Sequence, residues 1–183
     1  MAPVRSLQYR LASIDDVAGM QAVVDECWEA DYPAVISRER IRNGLLEWYD
    51  DDHLAREIRS ADAVVAVAVA ERKSEAGEGG SSDDDGGGSI RGFTHAVLDG
   101  AEGTILRLYV VPDDRRAGVG TELLEYTIDE LAERGVDRIV ALALARNDVA
   151  AEFYRATGFE QIRTETTTIA GDRYDELVFE RPV

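Results

Sequence analysis

The feature that most restricts the fold is a run of eight alanine and valine residues, Ala63–Ala70, which contains no polar side chain. The run is far shorter than the roughly 18 apolar residues that a membrane helix needs. Small and β-branched residues without polar alternation are typical of a strand that is buried on both faces of its sheet. The run therefore predicts an α/β domain in which helices flank a central sheet.

Hydrophobic periodicity predicts further strands and helices on both sides of this run. The first strand is expected over 4–11, and the helix after it begins at the Ser13-Ile14-Asp15-Asp16 cap and ends before Pro33. The other predicted helices cover 37–48, 51–60, 119–134 and 148–156. The other predicted strands cover 90–98, 103–111, 139–144, 159–169 and 175–180. This order indicates a mixed sheet with a strand, helix, strand crossover between residues 104 and 144.

The chain length and one unusual segment define the predicted domain organisation. A chain of 183 residues fits one domain, which we expect over 4–183. Residues 73–89 contain no apolar side chain except Ala76, so they cannot bury enough surface to fold and predict a flexible acidic, glycine-rich loop between two strands. Within it, Asp83-Asp84-Asp85-Gly86 lacks the alternating ligands and the closing glutamate of a calcium loop.

The charge balance restricts the partners of the protein. Lys and Arg total 20 and Asp and Glu total 37, which gives a net charge of −17. This charge argues against binding to the phosphates of nucleic acids or anionic membranes. Lys73 is the only lysine, and an acidic surface with arginine in place of lysine resembles proteins of salt-loving organisms. We therefore predict a halophilic origin.

The sequence also predicts the compartment and the absence of a metal. The first ten residues lack the apolar core of a signal peptide, so a cytoplasmic location is expected. Cys27 is the only cysteine, which excludes an intramolecular disulfide and a multi-cysteine zinc site. No metal is expected. The oligomeric state stays open, with a homodimer as one candidate.

A turn between a predicted strand and a predicted helix carries the strongest chemical signal. It contains Arg115-x-x-Gly118-x-Gly120 and opens directly into the helix. Glycines permit close approach of a ligand, the first N–H groups of a helix lack partners, and the helix dipole favours an anion there. A guanidinium from Arg115 or Arg116 could add a bidentate contact. A tight structural turn is the alternative at this point.

Two other phosphate-binding motifs fit this turn less well. A Walker loop needs a Gly-Lys pair followed by Ser or Thr, and Lys73 lies elsewhere. A Rossmann fingerprint needs a third glycine, and that position holds Leu123.

A second motif follows the predicted strand 139–144 and reads Asn147-x-x-Ala150-x-x-Phe153-Tyr154-x-x-x-Gly158-Phe159. Together the two segments resemble motifs A and B of the GCN5-related N-acetyltransferase (GNAT) superfamily, and the resemblance covers most of the chain. It implies the GNAT fold, an α/β fold in which a mixed central β-sheet with a splayed strand pair is flanked by α-helices. It further implies acetyl-CoA as co-substrate, and a small-molecule amine or a protein amino group, N-terminal or lysine, as acceptor.

The resemblance also implies which residues would hold the cofactor. The backbone of Val110 and Val111 would pair with the pantetheine arm, and Phe153 would pack against that arm. The turn would receive the pyrophosphate, and Asn147 would hydrogen-bond the cofactor. The implied cofactor-binding residues are Val110, Val111, Arg115, Arg116, Ala117, Gly118, Val119, Gly120, Thr121, Asn147 and Phe153. For Phe153 and Tyr154, packing in the core is the alternative.

Acetyl transfer to an amine sets three chemical requirements: a base for the ammonium, an N–H donor for the tetrahedral oxyanion, and a proton for the leaving thiolate. The resemblance places the phenol of Tyr154 near the sulfur, which makes it the candidate acid. The N–H of Val110 or Val111 is the candidate oxyanion donor.

The base is not identified by the sequence. Many relatives carry a glutamate on the strand equivalent to 103–111, where Arg107 is the only charged residue here. The candidates are Glu102, one residue before that strand, and His95 on the preceding strand. Residues near the end of the first helix are candidates for binding a cationic substrate; they are Trp28, Glu29, Asp31 and Tyr32.

Two functions therefore remain. The first is an acetyl-CoA-dependent N-acetyltransferase. The alternative is an acyl-CoA-binding regulatory module without turnover, which the missing strand carboxylate favours and the retained Tyr154 disfavours.

Overall fold

The computed structural model describes residues 6–31, 49–71, 88–169 and 172–183. The strands are β1 Leu7–Leu11, β2 Ala63–Ala70, β3 Ser89–Asp99, β4 Glu102–Val110, β5 Arg138–Leu144, β6 Glu160–Ile169 and β7 Asp172–Pro182. The helices are α1 Val17–Asp31, α2 Asp51–Arg59, α3 Val119–Glu133 and α4 Asp148–Ala156. Short 3-10 turns occupy Ile14–Asp16 and Pro112–Asp114.

These elements agree with the predicted ones to within a few residues where both can be compared. The helix predicted over 37–48 and almost all of the predicted loop 73–89 lie outside the described residues. Ser89, assigned to that loop, is the first residue of β3. The last strand begins at Asp172 rather than at residue 175 because it pairs with β6 as far as Ile169.

One mixed sheet has the strand order β1-β2-β3-β4-β5-β7-β6. Only the β4–β5 pair is parallel, and α3 forms the crossover between these two strands. All eight residues of β2 are buried, as the sequence predicts. Val65, Val67 and Val69 pack against α1 and α2, whereas Val64 and Ala66 face the opposite layer. That layer consists of α3 and α4, so helices cover both faces of the sheet.

The two parallel strands separate part-way along their length. They pair from Glu102 opposite Arg138 to Ile105 opposite Ala141 and no further. Beyond that point β4 continues along β3, and β5 continues along β7. We call the opening between the far halves of these strands the splay. The mixed α/β sheet with a splayed strand pair is therefore confirmed.

A β-bulge lies where the strands separate. On β3, His95 pairs with Arg107 and the next residue, Ala96, pairs with Ile105, so Leu106 is an extra residue in β4. A bulge bends its strand and changes which face the following side chains occupy. Ile105 packs in the layer of α3 and α4, but Arg107, two residues later, contacts α2 on the other face.

Candidate functional site

The turn between β4 and α3 has the backbone geometry of an anion site. Gly118 caps α3 with φ = 90°, and the first hydrogen bond into the helix runs from the N–H of Glu122 to the Gly118 carbonyl at 3.0 Å. The N–H groups of Val119, Gly120 and Thr121 therefore have no acceptor within the helix, and the helix dipole adds positive potential beside them. No atom lies within 4 Å of a Cβ added to Gly118, so its left-handed φ is what requires glycine.

The two arginines of this turn differ in their surroundings. Arg115 is half-buried, and its Nε donates to the carbonyl of Val110 at 2.9 Å, which ties the turn back to the end of β4. This contact uses Nε of Arg115, one of the two arginines expected to contact the phosphate. Arg116 and Ala117 are exposed, and Arg116 has φ = 60°. Arg116 is therefore the better placed of the two arginines to meet a bound anion.

Phe153 connects the two sides of the splay. A Cβ added to Gly120 would lie 3.4 Å from the ring of Phe153 and 3.6 Å from Cγ2 of Val110. The aromatic ring of α4 thus reaches the first turn of α3 and the end of β4. The structure brings Val110, Gly120 and Phe153 together, as the sequence analysis expects.

The backbone hydrogen bonds of β4 distinguish the two candidate oxyanion donors, Val110 and Val111. The N–H of Val111 donates to the carbonyl of Arg91 on β3 at 3.0 Å, so Val111 is not a candidate donor in this structure. Residues alternate along an antiparallel ladder, so the N–H of Val110 points away from β3 and toward the splay. Val110 remains as the candidate oxyanion donor.

Tyr154 is buried in an aromatic cluster. Its ring centroid lies 5.5 Å from that of Phe153, 5.4 Å from that of Phe159 and 5.6 Å from that of Phe179. Burial raises the pKa of the phenol well above its usual range. The phenol therefore stays protonated at neutral pH, which an acid near the leaving thiolate requires. The ring also packs in the core, so the two interpretations of Tyr154 are compatible.

Asn147 lies just beyond the end of β5 and caps α4. Its Oδ1 accepts the N–H of Ala150 at 3.0 Å, and its own N–H donates to the carbonyl of Leu144 at 2.8 Å. The side-chain oxygen is thus used within the protein. Any contact of Asn147 with the cofactor would come from its amide NH2 group.

Glu102 lies at the wrong end of β4 to be the base. It begins the strand and forms an ion pair with Nη2 of Arg138 at 2.6 Å. At about 3.3 Å per residue, Val110 is roughly 26 Å further along the strand. The candidate role of Glu102 is therefore corrected: it belongs to a surface ion pair that is remote from the splay.

His95 is buried on β3, with 3% of its surface exposed. Its Nδ1 has no hydrogen-bond partner within the described part of the chain and lies 3.5 Å from Oε2 of Glu57. Burial, helped by the positive charges of Arg107 and His53, lowers the pKa of His95 to about 4. A histidine with so low a pKa is a much weaker base than an ordinary histidine, so this environment argues against His95 as the base.

A polar network on the α2 side of the splay was not predicted. Nη1 of Arg107 donates to both carboxylate oxygens of Glu57, at 3.0 and 2.9 Å, and its guanidinium lies 4.7 Å from the centre of the Tyr49 ring. The hydroxyl of Tyr49 is 2.9 Å from that of Tyr109. These contacts hold the separated half of β4 against α2.

Trp28 belongs to the same network. Its ring is buried, and its Nε1 donates to the hydroxyl of Tyr109 at 3.2 Å. This position corrects the expectation that Trp28 contacts substrate, because the side chain packs between α1 and the sheet. Glu29 is exposed on α1. The side chain of Asp31 and all of Tyr32 lie outside the described residues.

In the described ranges, no group of three or more His, Cys, Asp or Glu side chains is arranged to hold a metal ion. No helix in the described part of the chain is both long and apolar enough to cross a membrane.

Residues 20–159 match the family model of the acetyltransferase (GNAT) family. The chain belongs to this family. The match covers both the turn into α3 and the Asn147 to Phe159 motif, so the GNAT resemblance seen in the sequence is confirmed.

Curated relatives in the family act on different amines. The [ribosomal protein bS18]-alanine N-acetyltransferase of Escherichia coli strain K12 is 36% identical over 92 residues, which are 49% of this chain and 61% of the relative. This chain therefore aligns with less than two thirds of that relative's length. The spermidine N(1)-acetyltransferase of Thermoplasma acidophilum is 23% identical over 155 residues, 85% of this chain and 89% of the relative.

Solved GNAT structures share the fold. The PaiA N-acetyltransferase of Thermoplasma acidophilum, solved in complex with coenzyme A, has a TM-score of 0.80 at 21% identity over 97% of this chain and 99% of that one. The ribosomal-protein-S18-alanine N-acetyltransferase of Escherichia coli has a TM-score of 0.66 at 18% identity, over 97% and 94%. At these identities the comparisons establish the fold.

Proposed function

We propose that this protein is an N-acetyltransferase that moves the acetyl group of acetyl-CoA to a primary amine. One observation carries the proposal: the splay, the turn into α3 and Phe153 meet at one place, with Tyr154 packed beside Phe153. Membership of the GNAT family supports it, as do relatives named for acetylation of a protein amino group and of a polyamine.

The cofactor would be held mainly by backbone groups. The N–H groups of Val119, Gly120 and Thr121, with the side chain of Arg116, would bind the pyrophosphate at the positive end of α3. The pantetheine arm would lie in the splay beside Val110 and Phe153. These donors are already fixed by the fold, so binding costs little reorganisation.

The chemistry then needs two groups at the thioester. The N–H of Val110 would stabilise the oxyanion that forms when the amine attacks the carbonyl carbon. The phenol of Tyr154, protonated because it is buried, would give its proton to the departing thiolate. No metal takes part in this scheme.

The acceptor is proposed as a class. Either a small-molecule amine or a protein amino group fits the relatives, which include both kinds. The alternative function, an acyl-CoA-binding module without turnover, is favoured by the lack of a carboxylate over 103–111, where the only charged side chain, Arg107, is paired with Glu57. Under the main proposal the base comes from another strand, as argued below.

Four broader proposals complete the picture. The chain would form one domain over 4–183 and would work in the cytoplasm of a halophilic organism. A homodimer is the candidate assembly.

A screen tests the proposed function. The protein is incubated with acetyl-CoA and, separately, spermidine, a peptide beginning with alanine and a lysine peptide, in about 1 M potassium chloride, where the Debye length is about 3 Å. Thiol release and an added acetyl mass on one amine are expected. Calorimetric binding of coenzyme A without turnover of any amine would instead support the binding module.

A further inference from the structure

Glu176 lies one strand away from the splay. It is on β7, between Leu144 on β5 and Glu165 on β6. Leu144 is beyond Ala141, the last residue of β5 that pairs with β4. Near Leu144, one edge of β5 therefore pairs with β7 and the other edge borders the splay. The Glu176 side chain lies beside β5, the strand that separates it from the splay.

The side chain of Glu176 and the phenol of Tyr154 approach the splay from opposite faces of the sheet. Phe179 packs against Tyr154 in the layer of α3 and α4. Glu176 is three residues before Phe179 in a stretch of β7 that pairs with β5 without a bulge. Side chains alternate along a strand, so Glu176 faces the other way. That is the face on which Tyr109 contacts Trp28.

The Glu176 carboxylate has a like charge as its direct cross-strand neighbour. It is half-buried and stands directly opposite Glu165, and like charges in this position destabilise a sheet. Glu165 is compensated by Arg163, whose Nε lies 2.5 Å from its Oε1. In the described ranges Glu176 itself forms neither an ion pair nor a hydrogen bond. A cation supplied by a ligand would relieve this arrangement.

The surroundings of Glu176 also suit proton transfer. Burial, together with the negative charge of Glu165, raises the pKa of Glu176 above its usual range. The other charged or titratable described groups that the register places on this face of the two strands are Glu160, Arg163, Asp172, Tyr174 and Glu180. The adjacent residues of β5, Leu142 and Leu144, are apolar. A carboxylate with a raised pKa is a stronger base than an ordinary glutamate.

We propose that Glu176 receives the ammonium group of the acceptor and takes a proton from it. This inference rests on the proposed acetyltransferase function and names the base that the sequence did not identify. It also specifies the acceptor as a cation, a primary ammonium ion that enters from the face opposite α3 and α4.

Protons and electron pairs balance in the proposed acetyl transfer. One proton passes from the ammonium to the Glu176 carboxylate and from there to solvent. The neutral amine forms the C–N bond at the acetyl carbon, the C–S bond breaks, and the electron pair leaves with sulfur. The thiolate takes the phenol proton of Tyr154, and the second N–H proton of the amine restores the phenol. The net products are the acetamide, coenzyme A and one proton.

The other candidates fit this role less well. Glu57 is held by Arg107 and His53, and Glu102 is remote from the splay. Asp175 is next to Glu176 in sequence, so its side chain points to the opposite face.

The first test compares Glu176→Gln with Glu180→Gln, which removes a carboxylate four residues further along the same strand and on the same face. On an amine that the wild type acetylates, Glu176→Gln should lower kcat/KM by about 10² to 10⁴ and abolish the acid limb of its pH profile. Coenzyme A affinity by calorimetry should not change in either variant, which also shows that both are folded. Glu180→Gln should retain the wild-type rate.

The second test uses Glu165→Gln, which leaves Glu176 in place. Removing the opposing charge should move the acid limb of the pH profile of kcat/KM to lower pH. An unmoved limb, or a Glu176→Gln rate within about threefold of the wild type, would overturn the inference and leave the proposed function standing, because general base catalysis is worth far more than threefold. A wild type that acetylates no amine in the screen would overturn the proposed function, and this inference with it.

Discussion

Tyr154 packs in the core, and the role proposed for it in the chemistry depends on the same burial. The same burial that packs its ring among three phenylalanines raises the pKa of its phenol. The sequence motif indicated the functional position, and the structure explains the protonation state. It could not be derived from the sequence, because Phe179, which completes the cluster, lies on β7, far from Tyr154 in the sequence.

We expect Tyr154→Phe to lower kcat while leaving coenzyme A affinity nearly unchanged. The variant keeps the packed ring and removes only the proton donor. General acid catalysis is worth about 10² to 10⁴, and a thiolate leaves easily, so a loss near the low end is expected. Steady-state rates at saturating amine and acetyl-CoA measure it, provided that chemistry limits the rate. A wild-type kcat in this variant would assign Tyr154 to packing alone.

His95 makes stability depend on pH. Its pKa falls from 6.5 to about 4 in the folded protein, so the unfolded chain binds the proton more readily. The contribution of this group is therefore complete above pH 6.5 and is lost as the pH falls toward 4. The shift corresponds to about 3 kcal/mol of unfolding free energy.

We therefore predict that His95→Gln reduces the loss of unfolding free energy on acidification. Denaturant unfolding of both proteins at several pH values between 6.5 and 4 measures the difference. The wild type should lose more stability than the variant over this range. Parallel curves would contradict the assignment of a depressed pKa to His95.

At the scale of elements, the sequence predicted the described strands and helices. It did not predict which face of the sheet the side chains near the splay occupy. The bulge at Leu106 reverses the alternation of β4, so that Arg107 faces Glu57 on α2 instead of the layer of α3 and α4. One extra residue in an apolar strand leaves no signature in hydrophobic periodicity. For this reason the sequence could not predict that Arg107 pairs with Glu57. The setting of Glu176 depends instead on the register of β7 with β5 and β6, which hydrophobic periodicity does not specify.

The Glu57 network predicts a stability difference between two ion pairs. The side chains of Glu57 and Arg107 are only 14% and 16% exposed, so Glu57→Gln leaves a largely buried guanidinium without its partner. We expect a loss of about 2 to 4 kcal/mol in unfolding free energy. The matched variant Glu102→Gln breaks an exposed pair and should cost about 1 kcal/mol or less. Equal losses by denaturant unfolding would contradict the bracing role of Glu57.

The turn into α3 predicts a second contrast. Gly120 has helical geometry, and its added Cβ would lie at ordinary contact distance from Phe153, so Gly120→Glu should fold. The carboxylate would repel the pyrophosphate, and coenzyme A binding should be lost in calorimetry. Val149→Glu, which adds the same charge to an exposed position in the first turn of α4, is the control and should bind normally. Gly118→Glu is less informative because φ = 90° at Gly118 adds backbone strain.

At the scale of the whole molecule, net charge dominates the response to salt. Seventeen excess negative charges repel one another in the folded state, and salt screens this repulsion. We expect the melting temperature to rise between about 0.1 and 2 M potassium chloride, concentrations that bracket a Debye length of about 3 Å. A flat melting temperature over this range would argue against a halophilic origin.

The separation of β4 from β5 also divides the proposed site residues into two groups along the sequence. Val110, proposed to contact the thioester carbonyl, and the turn 115–121, proposed to bind the pyrophosphate, precede β5 in the sequence. Tyr154 and Glu176 follow it. Only four residue pairs join the two strands across this boundary. Under the proposal that Glu176 receives the acceptor, mutations in the β6–β7 hairpin would alter acceptor choice without changing the residues proposed to hold coenzyme A. We expect acceptor specificity to change first in this hairpin. A library of variants confined to residues 160–182 should therefore yield enzymes that acetylate new amines.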